Sequence, residues 1–345
     1  MLRKKTIWYG VLTVLTVGIF LYALSAGAMS ISLKTLISYF FSNGDGLSSE
    51  EMMSAKVFVN LRAPRILLAI IIGASLALSG AVLQGLFRNP LVDPGLIGIS
   101  SMASTFAAFS IVLGIHEWFS ASWMGLFAQN LVTFIGASLA VIVAIFLSNR
   151  NGNLSVITLL LVGIALNALG GSITGLMSYL SDDDQLRNLI FWLMGSLGAA
   201  SWTKVLLLAI INVPIIFLLL SKGKVLDSFS LGEEDALYIG TNVKREKMLL
   251  IVFTSFIVST SVSLTGVIGF VGLVVPHIIR LFMQRGSGFL LINSAWIGAL
   301  LLLFSDTLAR TIVLPKELPI GIITSLIGTP IFLFMVIKNK KALRS

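Results

Sequence analysis

LSGAVLQGLFRNPLVDP at 78–94 and SLTGVIGFVGLVVPHI at 263–278 decide how this chain is built. Each is an apolar run with an internal glycine, followed by a proline. Gly80 and Pro90 pair with Gly266 and Pro276 at one common spacing. A second correspondence lies further along, where Gly163, Ile164 and Gly170 match Gly321, Ile322 and Gly328. These matches join the second and fifth apolar runs of the chain to the seventh and tenth. Five runs per half put the halves in opposite orientation, an inverted repeat of the kind transporters use. The halves divide near 1–190 and 191–345 of a single domain.

The runs themselves lie near 7–27, 66–86, 95–114, 129–148, 155–179, 202–221, 248–265, 267–283, 288–309 and 318–337. Each has about the 20 apolar residues that a membrane helix needs. The seventh and eighth are almost continuous, with Gly266 and Gly269 as the turn between them. Composition agrees, because 57% of the 345 residues are hydrophobic and only 11% are charged. A soluble domain carries roughly 25% charged residues. The expected fold is therefore an all-α polytopic membrane protein of about ten transmembrane helices.

Orientation follows from charge. A cytoplasmic N-terminus puts most of the basic residues on the same side, among them Arg3, Lys4, Lys5, Arg88, Lys222, Lys224, Arg280 and Arg285. Both termini then lie in the cytoplasm, and the expected location is the cytoplasmic (inner) membrane. The net charge of +9 is loop charge of this kind and does not call for nucleic acid. Arg3 to Lys5 followed by an apolar run resembles a signal peptide, but the run is long for one, and an uncleaved first span is expected.

Catalytic and metal-binding patterns are missing. There is no cysteine, and the only Gly-Lys pair, Gly223–Lys224, is followed by Val225, so no P-loop is present. The chain is expected to be no enzyme, to hold no cofactor or metal, and to take its energy from a partner. Asp306 is the one carboxylate inside the apolar runs, and Arg310 four residues on is its expected ion-pair partner. Ion-coupled secondary carriers keep buried carboxylates in their spans, so that alternative class is disfavoured. His116 reads as solvated, and His277 as bonded to backbone in a turn after Pro276. Pro90, Pro94, Pro276, Pro319 and Pro330 mark broken helices and turns around a pathway.

Several longer stretches are similar to one family. They are NLRAPR at 60–65, GAVLQGLFRNPLVDPGLIGIS at 80–100, FWLMGSLGAASW at 191–202, LGEEDALYIG at 231–240, GFVGLVVPHIIR at 269–280, SDTLAR at 305–310 and ELPIGIITSLIGTPIF at 317–332. The chain resembles the FecCD-type permeases of type II ATP-binding-cassette importers, which carry haem, ferric siderophores or cobalamin. The resemblance implies a homodimer whose pathway is lined by the fifth and tenth spans. It also implies two cytoplasmic ATP-binding subunits, which bind the ATP and magnesium, and an extracytoplasmic substrate-binding protein.

Residue roles follow from the same resemblance. Arg62, Arg65 and Arg310 would receive acidic residues of the binding protein. Within the polar loop 222–247, Leu231, Gly232, Glu233, Glu234, Ala236, Leu237 and Gly240 would form the helix that couples to the ATPase. Gly163, Leu166, Asn167, Gly170, Gly321, Thr324, Ser325 and Gly328 would line the pathway and its gate. The stretch YLSDDDQLRNLIFWLMGSLGAASW at 179–202 is most similar to the haem-transporting branch. It would place Asp182, Asp183, Asp184 and Arg187 at the outer mouth. Haem is the expected cargo, with a siderophore or cobalamin as the alternative.

Overall fold

The computed structural model describes residues 2–27, 32–41, 47–115, 127–150, 153–283 and 285–342. His116 and Arg344 lie outside them. Helices α1 (Leu2–Ser25), α2 (Leu33–Phe41) and α3 (Ser49–Val57) open the chain, and a π turn at Phe58–Arg62 leads into α4 (Ala63–Leu86). A 3-10 turn at Pro94–Ile97 precedes α5 (Ile99–Val112), followed by α6 (Ala128–Ser148), α7 (Val156–Leu180) and α8 (Asp183–Leu193). Then come α9 (Trp202–Leu220), α10 (Gly223–Leu231), α11 (Glu233–Tyr238), α12 (Val243–Thr265), α13 (Val271–Phe282), α14 (Ser287–Ala309) and α15 (Ile320–Ala342). A two-residue antiparallel pairing, Asn149 with Leu154 and Arg150 with Asn153, closes the turn from α6 to α7.

Seven described helices are long and apolar enough to cross a membrane, and Ile99–Val112, Val271–Phe282 and Ile320–Phe334 are shorter apolar helices. Together they account for every run read from the sequence. Two crossings differ from the reading. With 12 residues, α13 spans only about 18 Å, and with 14 residues α5 spans only about 21 Å. Backbone breaks shorten both. Gly266 and Gly98 take φ of 75° and 93°, and Phe270 takes 69°, left-handed values at which an α-helix cannot continue. Pro276 and His277 lie inside α13, not in a turn.

The order long helix, break, short helix, long helix, long helix occurs twice, as α4 to α7 and as α12 to α15. In the first set α5 packs on α6 and α7, and in the second α13 packs on α14 and α15. The elements recur, but the glycine pairs quoted above are out of register. Gly80 lies inside α4, whereas Gly266 caps α12. Gly163, not Gly170, meets the break before α5, at Leu96, whereas Gly321 and Gly328 both meet the break before α13, at Val267 and Phe270. Glycine-rich apolar helices match one another at several offsets, and only the breaks fix the register.

Nearly buried throughout, α4 is the axis of the bundle and packs against α9, α12, α13 and α14. Lipid gives apolar helices no reason to associate, so close contact and buried polar links must do so. Gly73 meets the backbone of Gly298, and Gly80 that of Gly272. Asn212 of α9 donates to Ser75 Oγ at 3.0 Å and accepts from Thr260 Oγ1 at 2.7 Å, joining α4, α9 and α12. Trp8 donates to Asn293 at 2.8 Å and Trp296 to Thr16 at 2.9 Å, seating α1 on α14. Alternation of the crossings places Arg88, Lys222, Lys224 and Arg285 on one face, the basic face. The turns at 181–201 and 310–319 lie on the opposite face.

Candidate functional site

Three arginines gather on the opposite face, and all are engaged within the chain. Arg65 grips Asp306 with Nε and Nη2 at 2.9–3.0 Å and reaches Glu317 with Nη1 at 2.9 Å. Arg62 donates to the carbonyl of Leu24 at 3.0 Å, and Arg310 to that of Ala23. Arg62 and Arg310 are each only 7% exposed. The pairing of Asp306 with Arg310 read from the sequence is present, at the long limit of an ion pair, and is the weaker of two. Arg310 Nε stands 4.0 Å from Asp306, and the close partner is Arg65, on another helix. A bidentate fork fills both carboxylate oxygens better than an i,i+4 contact along one helix. The cluster ties α1, α4 and α14 to the segment leading into α15.

A second junction lies between the two breaks. The amide of Gln84 donates from Nε2 to the carbonyls of Val92, Gly272 and Leu273 at 3.2–3.3 Å, while its Oε1 accepts from Arg280. One buried side chain thus fastens the segment before α5 to the start of α13. Asp93 sits in the same place, its Oδ1 accepting from Gly95 N–H at 2.8 Å. Gln84 and Asp93 were missed as functional candidates, though a lone amide in an apolar run was there to be noticed.

The pathway residues divide into two groups. On α7, Gly163 lies against the carbonyl of Leu96, and Leu166 against Gly98. Asn167 donates to the carbonyl of Gly95 at 3.1 Å, and Gly170 meets Ser101. This face of α7 is closed by the chain itself. Its open face carries Ala168, Gly171, Ser172 and Gly175. On α15, Gly321 and Ser325 line a cavity of about 440 Å³ with Met194, Val267 and Gly269. Thr324 is buried behind them, and Gly328 packs on Phe270. The N–H groups of Ile320 and Gly321 donate to the carbonyls of Gly195 and Met194 at 3.0 and 2.9 Å, and Ser196 N–H donates to Thr265 at 2.7 Å. The end of α8 therefore latches the start of α15 to the end of α12.

The acidic turn begins α8. Asp182 is its N-cap and forms a capping box with Gln185, accepting from Gln185 N–H at 2.8 Å. Asp183 and Asp184 occupy the first turn, where negative charge suits the helix dipole. Arg187 pairs with Asp184 at 2.7 Å, both side chains exposed. His277 corrects the sequence reading, since its buried Nδ1 has no hydrogen-bond partner among the described residues. No group of three metal-ligating side chains occurs among them either.

On the basic face the polar loop folds as α10 and α11. Gly232, at φ 131°, separates them, and Gly240, at φ 89°, ends the second. Leu231 closes α10, so the expected coupling helix is shorter than the stretch quoted for it. Ala236 is fully buried, and Glu233 pairs with Lys247 of α12. Glu234 is exposed. Leu231, Leu237, Tyr238 and Ile239 are 59–90% exposed, an apolar knob held out on a braced stem.

Comparison with known proteins matches this architecture. The haemin transport system permease protein HmuU of Yersinia pestis is 41% identical over 332 residues, 96% of each chain. The vitamin B12 import system permease protein BtuC of Vibrio vulnificus is 40% identical over 86% of this chain and 87% of its own. A solved inward-facing transporter described as of the metal-chelate ABC type superposes with a TM-score of 0.80 at 32% identity, covering 95% of this chain and 99% of that one. The FecCD transport family profile matches residues 14–338. With its broken-helix bundle and multi-pass membrane topology, this chain belongs to the FecCD transport family.

Proposed function

We propose that the chain is the permease subunit of an ATP-driven importer that moves haem across the cytoplasmic membrane, with both termini in the cytoplasm. The observation that carries this is the knob of α11. Four large apolar side chains stand exposed at the basic face, beyond the ends of the membrane crossings. A braced apolar protrusion in water implies a protein partner. With no P-loop in the chain, an ATP-binding subunit is the partner that fits. ATP and magnesium then belong to that subunit. The open face of α7, lined by small residues, would meet a second copy across the pathway axis, and the bundle's remaining apolar surface is covered by lipid.

Haem is favoured because the 41% identical relative is a haemin permease, and because the acidic turn leading into Gln185, Leu186 and Arg187 resembles that branch. Asp182 is occupied as a helix cap, so a role at the outer mouth rests on Asp183, Asp184 and Arg187. On the same face, Arg65 would exchange Glu317 for an acidic residue of the binding protein, flanked by Arg62 and Arg310. Reconstitution with the ATP-binding subunit and binding protein, with haem and siderophores offered in parallel, tests the proposal. ATP-dependent haem uptake is expected. Uptake of a siderophore alone moves the cargo and keeps the permease, and uptake without ATP removes both.

A further inference from the structure

A cleft of about 740 Å³ opens on the basic face between the end of α4, α10 and the turn from α13 to α14. It is lined by three guanidiniums, Arg88, Arg280 and Arg285, against one carboxylate, Asp227. That carboxylate is already engaged, because its Oδ1 accepts from Ser287 N–H at 2.7 Å and so caps the start of α14. Arg280 is half-buried, and the acceptor it has is the neutral Oε1 of Gln84. The amide of Gln84 is held by three carbonyls, which leaves its oxygen facing the guanidinium. Arg280 is thereby aimed and not neutralised. Among the described residues no carboxylate pairs with Arg280 or Arg88. A cation withdrawn from water without a counter-ion is costly, and an anion in the cleft offsets that cost.

Arg88 supplies an independent observation. The last turn of α4 closes with Arg88 N–H donating to Gly85 and Asn89 N–H to Gln84, at 3.2 and 3.1 Å. This is the Schellman pattern, with Arg88 at the position where glycine is the usual residue. Arg88 takes φ 50° there. Only one other described non-glycine residue, Phe270, has a positive φ. A side chain kept at a strained position points to a use for that side chain. Here it stands at the rim of a cleft that already holds an aimed, unneutralised guanidinium.

We propose that this cleft binds a phosphate group through Arg88 and Arg280, supplied by the headgroup of an anionic phospholipid in the adjacent leaflet. Guanidinium forks match phosphate oxygens in pairs, and basic pockets between membrane helices at the cytoplasmic side take such headgroups. Leu226, Met283 and Leu290 give the cleft an apolar wall for the glycerol and upper acyl chain. The proposal holds whatever the cargo is.

The test uses the full chain purified in neutral detergent. Thermal unfolding is followed with phosphatidylglycerol, with phosphatidylcholine, and with sodium phosphate against chloride at matched ionic strength. Retained lipid is read by native mass spectrometry. Phosphatidylglycerol is expected to raise the midpoint and phosphatidylcholine to leave it unchanged. Arg88→Gly relieves the left-handed strain, so its unliganded midpoint should equal or exceed that of the parent. It should nevertheless bind phosphatidylglycerol about tenfold more weakly, one charge-assisted contact being lost. Arg280→Gln should weaken binding likewise. A response to inorganic phosphate but not to phosphatidylglycerol overturns the lipid source. The phosphate site itself is overturned if neither ligand shifts the parent, or if both variants bind as the parent does. It is equally overturned if the variants lose only copurification of an ATP-binding subunit.

Discussion

A methyl group on Gly80 would sit 1.9 Å from the carbonyl oxygen of Gly272, while one on Gly171 would meet nothing within 4 Å. Both are glycines inside apolar helices, and the letters alone do not separate them. Gly80→Ala should cost about 2 kcal/mol through overpacking, and Gly171→Ala should be close to neutral in a detergent unfolding assay. The arginine cluster gives a second contrast. Asp306→Asn leaves Arg65 and Arg310 short of their buried carboxylate and should cost about 3–5 kcal/mol. Glu317 is 47% exposed on its side chain, so Glu317→Gln should cost less than about 1 kcal/mol. If Glu317 holds the place of an acidic residue on the binding protein, that same variant should dock it more tightly. Unchanged docking affinity would remove the exchange. The charges of this cluster and its local pair could be read from the sequence, but the closer partner of Asp306 could not. Arg310 is four residues away and Arg65 is 241, and only folding brings the distant one closer.

Among the elements, the long crossings were legible because twenty apolar residues in a row have few other uses. The short amphipathic helices were not. The Ser48 to Glu51 capping box starts α3 and the Asp182 to Gln185 box starts α8, and both signals stood in the sequence unread beside stronger apolar runs. Asp182→Ala should cost about 1 kcal/mol as a lost cap and leave cargo preference unchanged. Asp183→Asn with Asp184→Asn should alter cargo uptake if the outer mouth reading is right, and uptake assays on the two variants separate the roles. Ala236 and Leu237 are neighbours in the coupling stretch, but the structure turns Ala236 inward and Leu237, with Ile239, outward. Ala236→Trp should therefore dislodge the stem of α11, and Tyr238→Ala should thin the knob while the stem stays. Both should lower ATP-dependent uptake, with only the first lowering the stability of the isolated chain. Equal stability losses would contradict that division.

For the whole molecule, the segment before α5 and the start of α13 meet each other beside α4. Cysteine introduced at Ser325 or Ile322 of α15, or at Ala168 on the open face of α7, should react with water-soluble thiol reagents. Asn167, tied to Gly95, should stay inert. Reactivity that follows nucleotide state in the assembled transporter would mark the moving side, and labelling of Asn167 would reverse the assignment of faces. The inverted architecture was legible as a pattern, but its register was not, because close helix contact asks only for small residues and many offsets supply them. The short crossings have one more consequence. At about 18 Å, α13 covers little more than half of a hydrocarbon layer roughly 30 Å thick. The rest of that thickness falls to the non-helical backbone at the breaks, whose polar groups must find hydrogen-bond partners inside the protein. Gln84, donating to the carbonyls of Val92, Gly272 and Leu273, and the amide of Ser196, donating to that of Thr265, supply several of those partners.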